Sequence, residues 1–162
     1  MDKTSISPEE SAKGQESAVF NTDRAGQYAD DARTTKIVYE PITRSIIGAF
    51  YAVYDKLGFG FLENVYRAAL TIELRRRGHA VARELSVPVL YDGLPLARYK
   101  MDFVVDDLIV LEVKSTVALS GHERRQLMNY MCATTYEVGL LLHFGPKAKF
   151  YRLFASSDFC RR

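Results

Sequence analysis

The segment Tyr99-Lys100-Met101-Asp102-Phe103-Val104-Val105-Asp106-Asp107-Leu108-Ile109-Val110-Leu111-Glu112-Val113-Lys114 decides the fold. It reads as two strands rich in β-branched and apolar residues, separated by an acidic turn. Side chains alternate faces along a strand, so Glu112 and Lys114 project to one side and Leu111 and Val113 to the other. Five of the six residues in Leu108–Val113 are apolar, which places this strand deep in a sheet. A carboxylate and an ammonium on one face of a buried strand are costly unless paired or bound. Asp102, between Met101 and Phe103, interrupts the preceding apolar run in the same way. Directly opposed side chains of an antiparallel pair share a face, about 4.5–5.5 Å apart. A loop of Asp106-Asp107-Leu108 therefore sets Asp102 opposite Glu112. A two-residue loop at Asp106-Asp107 sets it opposite Leu111, on the wrong face. A site shared by both carboxylates requires an odd loop or a bulge.

Two outcomes for the buried charges stay open. One is a simple Glu112–Lys114 contact. The other is a hard divalent cation held by Asp102, Glu112 and the carbonyl of Val113, since an oxygen-rich cradle selects Mg²⁺ or Mn²⁺ over softer metals. Such an ion lowers the pKa of bound water and neutralises charge at a phosphodiester under in-line attack. Lys114 would orient that water or stabilise the transition state. A Glu-x-Lys spacing alone is weak evidence, and an Asp one hairpin earlier strengthens it.

Moving outward, Asp92-Gly93 is a tight-hairpin signal between Ala80–Tyr91 and Leu94–Val105. Upstream, Pro41 suits a first helical position. Ile42, Ile46, Ala49, Phe50, Val53 and Leu57 then recur at helical spacing. Leu57-Gly58-Phe59-Gly60 breaks this helix. A second helix is predicted over Phe61–Arg77, with Gly78 as its stop and Arg75, Arg76 and Arg77 in the last turn, where cations suit the helix dipole. Downstream, Ser120 and Glu123 form a capping box for a helix over Ser120–Thr134. Tyr136–Phe144 reads as a buried strand, and Ala148–Phe154 as an edge strand after Gly145-Pro146. The predicted order is ααβββαββ, an α/β (α+β) fold with a mixed sheet of about five strands flanked by helices.

Residues 1–36 are polar and aperiodic and read as a disordered leader, with residues 37–162 as the folded domain. The formal net charge is +2; the leader holds 5 basic and 7 acidic residues (−2) and the body 17 and 13 (+4). A mildly basic body is compatible with a phosphate-bearing partner without demanding one. No stretch reaches the roughly 20 apolar residues of a membrane span, and no secretory signal is visible, so the cytoplasm is the default location. Cys132 and Cys160 lack metal-ligand spacing and are expected as reduced thiols. His79 and His122 show no evident partners.

Gly60-Phe61-Leu62-Glu63-Asn64-Val65-Tyr66 resembles the signature of the GxxExxY proteins, a branch of the PD-(D/E)XK nuclease superfamily. The similarity continues through Asp102 in its strand, Glu112-Val113-Lys114, Gln126-Leu127-Met128-Asn129-Tyr130 and Gly139-Leu140-Leu141-Leu142-His143-Phe144-Gly145, covering roughly residues 42–154. The resemblance implies a restriction-endonuclease-like core and a Mg²⁺- or Mn²⁺-dependent nuclease, with DNA ahead of RNA as substrate. It implies catalytic roles for Glu63, Asp102, Glu112, Lys114 and Gln126, with Glu63, Asp102, Glu112 and the Val113 carbonyl on the metal. Glu63 and Tyr66 are three apart on one helical face, and Gln126 and Tyr130 four apart on another. For Tyr66 and Tyr130, core packing with a bonded hydroxyl is the preferred reading. Two positions depart from the pattern. Met101 stands where the superfamily's first motif has proline, and His143 where the family more often has Asn. The alternatives are a non-catalytic nucleic-acid-binding or regulatory protein that keeps the fold, and an interaction module with a structural ion-pair network. A homodimer is an expectation from activity, because a nuclease this small usually needs a second copy to cut both strands.

Overall fold

The computed structural model describes residues 32–155 and Cys160. The elements are α1 (Ala32–Leu57), α2 (Glu63–Arg76), β1 (Val81–Tyr91), β2 (Leu94–Val105), β3 (Ile109–Lys114), α3 (His122–Cys132), β4 (Val138–Phe144) and β5 (Ala148–Phe154). This is the order expected from the sequence. The sheet runs β1-β2-β3-β4-β5. Only β3 and β4 pair in parallel, and α3 supplies the crossover that a parallel pair requires.

Alternation along β3 and β4 sorts their side chains between two cores, while along β2 it breaks near Asp102, since Met101 and Phe103, two apart, fall in different cores. Phe103, Leu111, Val113, Leu140, Leu142 and Phe144 pack with α1 and α2 residues such as Phe50, Tyr66 and Leu70. Met101, Val104, Val110 and Leu141 pack with Leu127, Met128, Tyr130 and Met131 of α3. Glu112 shares the α3 face by alternation with Val110. Close approach of α3 depends on Gly139, where an added Cβ would lie 2.7 Å from the Met131 sulfur and 3.1 Å from Leu127.

Local signals explain most boundaries. Asp92 and Gly93 adopt φ of 48° and 79°, the left-handed pair of a tight hairpin. Gly78 ends α2 as expected, with its amide bonded to the Arg75 carbonyl and the His79 amide to the Leu74 carbonyl, a Schellman pattern. Other boundaries moved. α1 begins at Ala32, and Pro41 lies inside it rather than at its first turn. The proline removes one backbone hydrogen bond, which the helix tolerates with its continuing turns packed on the sheet. Residues 32–36, expected in the leader, are thus helical, and residues 1–31 lie outside the described residues. The N-cap of α3 is Gly121, one residue beyond Ser120, although the Glu123 carboxylate still accepts the Ser120 and Gly121 amides.

Cys132 and Cys160 form a disulfide, contrary to the expectation of free thiols. Their separation of 28 residues carries no local signal; β4 and β5 fold back to bring the ends together. The cytoplasmic expectation loses the support it took from reduced thiols. Among the described residues no helix is long and apolar enough to cross a membrane.

Candidate active site

The β2–β3 turn sets the site. Val105 pairs with Ile109, Val104 with Val110 and Phe103 with Leu111, leaving a loop of Asp106, Asp107 and Leu108. This is the odd loop the shared site requires. Both aspartates take left-handed φ, 54° and 56°, and the Leu108 amide closes onto the Val105 carbonyl at 3.0 Å. His79 braces the turn, with Nδ1 2.7 Å from Asp106 Oδ2 and Nε2 2.8 Å from Ser45 Oγ of α1. His79 therefore has partners after all, from elements far away in sequence.

Past Phe103 and Leu111 the recorded pairing of β2 with β3 ends. Asp102 still lies near enough to Glu112 for its charge to help raise the pKa of that carboxyl. Asp102 Oδ2 accepts the Val113 amide at 2.9 Å, replacing the lost strand partner. A residue's amide and carbonyl leave an antiparallel strand on the same edge, so the Val113 carbonyl also faces this opening. Asp102 Oδ1 accepts Arg67 Nη1 of α2 at 2.7 Å.

Glu112 is 2 % exposed. Its Oε1 accepts Lys114 Nζ at 2.5 Å, while its Oε2 is buried without a hydrogen-bond partner. Burial, reinforced by the nearby Asp102 charge and only partly offset by Lys114, raises its pKa to about 7. Burial disfavours the Lys114 cation, but Glu112 outweighs it and the ammonium pKa is raised. Arg67 behaves alike, with Asp102 outweighing burial.

α2 is fixed against this strand end by the loop before it. The Tyr66 hydroxyl donates to the Gly58 carbonyl at 2.7 Å and accepts the Phe61 amide at 3.2 Å, and its ring stacks on Phe144 with centroids 4.3 Å apart. Ser115, next to Lys114, donates to the Phe61 carbonyl at 2.8 Å. Tyr66 is thus a core residue that shapes the loop. These contacts set Glu63 at the first turn of α2, where its charge acts on Arg67, Glu112 and Lys114 without an ion pair to either cation. From the opposite face α3 presents Gln126, which donates to the Tyr130 hydroxyl. Burial raises the Tyr130 pKa, with Gln126 opposing and the Glu112 charge adding to it.

The structure therefore gathers Asp102, Glu112 and Lys114, with Glu63 on one side and the Gln126–Tyr130 pair on the other. Among the described residues no three His, Cys, Asp or Glu side chains, Glu63 with Asp102 and Glu112 included, are grouped closely enough to hold a metal. The donor chemistry still suits a hard cation. Glu112 Oε2 is an unpartnered buried carboxylate oxygen, and two carboxylates with a carbonyl form an all-oxygen set.

Arg67 and His143 were not assigned roles from the sequence. Arg67 lies one helical turn after Glu63, and that spacing was the available signal. His143 is the β4 neighbour of Lys114. Its Nε2 lies 2.7 Å from the Thr116 carbonyl and so donates to it, fixing the segment that leaves β3. The ring lies so close over Gly145 that a Cβ there would meet its Cε1 at 2.5 Å.

A family model described as the PD-(D/E)XK nuclease superfamily matches residues 40–153. The chain belongs to this superfamily. The superfamily's restriction-endonuclease-like core is the fold described above, with three helices and a mixed five-stranded sheet. No curated protein matches the sequence. A solved structure titled "Crystal structure of SSO0001" is similar at 19% identity and a TM-score of 0.49, covering 78% of this chain. This chain spans 65% of that chain's length.

Proposed function

We propose that this PD-(D/E)XK protein is a nuclease of the GxxExxY branch, hydrolysing phosphodiester bonds with Mg²⁺ or Mn²⁺, and acting on DNA in preference to RNA. The observation that carries the reading is the buried Glu112, with one oxygen on Lys114 and the other unpartnered, beside Asp102 at the opening of a strand pair. Asp102, Glu112 and the Val113 carbonyl would hold the ion, with Glu63 as a further ligand or through water. When bound, the ion supplies Lewis acidity and lowers the pKa of a coordinated water. Lys114, held by Glu112, would set a positive charge beside the phosphate oxygens on which negative charge builds during attack. Gln126 and Tyr130 line the α3 side and position the water or substrate. A homodimer is proposed only because a duplex has two strands to cut.

The second reading, a non-catalytic nucleic-acid-binding protein, is favoured by one observation: Asp102 is already engaged by Arg67. Cleavage of labelled single-stranded, duplex, flapped and RNA substrates with Mn²⁺ separates the two. The expected result is Mn²⁺-dependent cleavage that Lys114→Ala lowers by about 100-fold or more. Equal cleavage by the variant would discard the catalytic assignment, and no cleavage of any substrate by the wild type would favour the binding protein.

A further inference from the structure

Arg67 is the cation in this site with capacity left over. A guanidinium carries five N–H donors. Among the described residues its side chain makes one hydrogen bond, from Nη1 to Asp102. Its Nε is buried with no partner, while the side chain as a whole is 24% exposed. Arginine–carboxylate pairs are frequently two-pronged, and here one prong is used. The remaining donors suit a second planar or tetrahedral oxyanion. The local charge points the same way. With Glu112 taken as the carboxylate that a bound cation requires, and Glu84 neutralised by Lys100, Glu63, Asp102 and Glu112 contribute −3 and Arg67 and Lys114 +2, leaving −1. A divalent ion changes this to +1, which one phosphodiester anion neutralises. The ion also replaces Arg67 as counter-charge to Asp102.

We propose that Arg67 is a substrate-binding residue for the phosphodiester group, held against Asp102 until a divalent ion takes that carboxylate. The inference rests on the nuclease reading and adds a residue, a ligand class and an order of events to it. It makes metal and phosphate respond to Arg67 in opposite directions. Arg67 competes with the ion for Asp102, so its removal tightens metal binding. Arg67 grips phosphate, so its removal weakens nucleic-acid binding. An arginine that only positioned Asp102 would weaken metal binding when removed.

The test uses the full chain. Mn²⁺ binding is measured by calorimetric titration, and binding of a fluorescein-labelled duplex oligonucleotide by anisotropy in Ca²⁺ at fixed salt. Arg67→Gln is expected to tighten Mn²⁺ by several-fold and weaken the oligonucleotide by about tenfold. Arg67→Lys keeps the charge and loses the fork; it is expected to leave Mn²⁺ binding near wild type and to weaken the oligonucleotide to a lesser extent. If Arg67→Gln does not fold, Arg67→Lys carries the test, and oligonucleotide binding equal to wild type overturns the proposal. Weaker Mn²⁺ binding in Arg67→Gln, or unchanged oligonucleotide binding, also overturns it while a cleaving wild type leaves the nuclease reading standing. Absence of Mn²⁺ binding in both wild type and Arg67→Gln removes the reading and the inference together.

Discussion

Replacing Glu112 with glutamine tests the site through stability alone, without substrate. The Glu112 carboxyl titrates near 7 in the folded chain against 4.5 for an unperturbed glutamate, chiefly because it is buried and lies near Asp102. Between those two values the folded chain holds a proton that the unfolded chain has released. Stability therefore falls as pH rises through this window and levels off above it. At 1.36 kcal/mol per tenfold, the gap amounts to about 3 kcal/mol. Glutamine has the same shape and does not titrate. The stability of Glu112→Gln relative to wild type should thus rise by about 3 kcal/mol between pH 4.5 and pH 8. Losing the Lys114 contact shifts the whole curve without changing its slope, since Lys114 stays protonated throughout. Urea unfolding in EDTA at pH 4.5, 6, 7 and 8 reads the difference directly. A difference that stays flat, or falls with pH, would show that Lys114 outweighs burial and that the carboxylate is content without a cation.

Two further outcomes follow from the same geometry. Mn²⁺ should raise the melting temperature of the wild type and leave Asp102→Ala unmoved in a thermal-shift assay; at a hundred times its dissociation constant the ion adds about 2.7 kcal/mol. Gly145→Ala should destabilise the chain by about 1–3 kcal/mol in urea unfolding, because the new methyl meets the His143 ring at 2.5 Å and the Thr116 carbonyl at 3.0 Å.

Much of this was legible from residues because the signals are local. Asp92-Gly93, Gly78 and the apolar run of Leu108–Val113 each report on their own neighbourhood, and the observed elements follow them. The pairing of Phe103 with Leu111 reduced to the number of residues in one turn. What stayed hidden depends on distant partners. Arg67 reads as a surface cation of a helix until β2 brings Asp102 beneath it. Ser45, His79 and Asp106 come from three separate parts of the chain. The Cys132–Cys160 pair closes over the two final strands. The start of α1 was masked by Pro41, whose usual place at a helix beginning drew the boundary inward. Glu63 entered through family resemblance, and the structure places it nearby without joining it to the carboxylate pair.

The turn at Asp106, Asp107 and Leu108 makes the site a matter of parity. A slip of one residue in the β2–β3 register set there, with the sequence unchanged, would turn the side chains of β2 over relative to those of β3. It would send Asp102 toward the Leu111 side and Phe103 toward Glu112. Such a slip would leave the motif intact in the sequence while dismantling its chemistry. The His79–Asp106 contact is then more than a brace for a loop. It holds the turn from which β2 and β3 take their register.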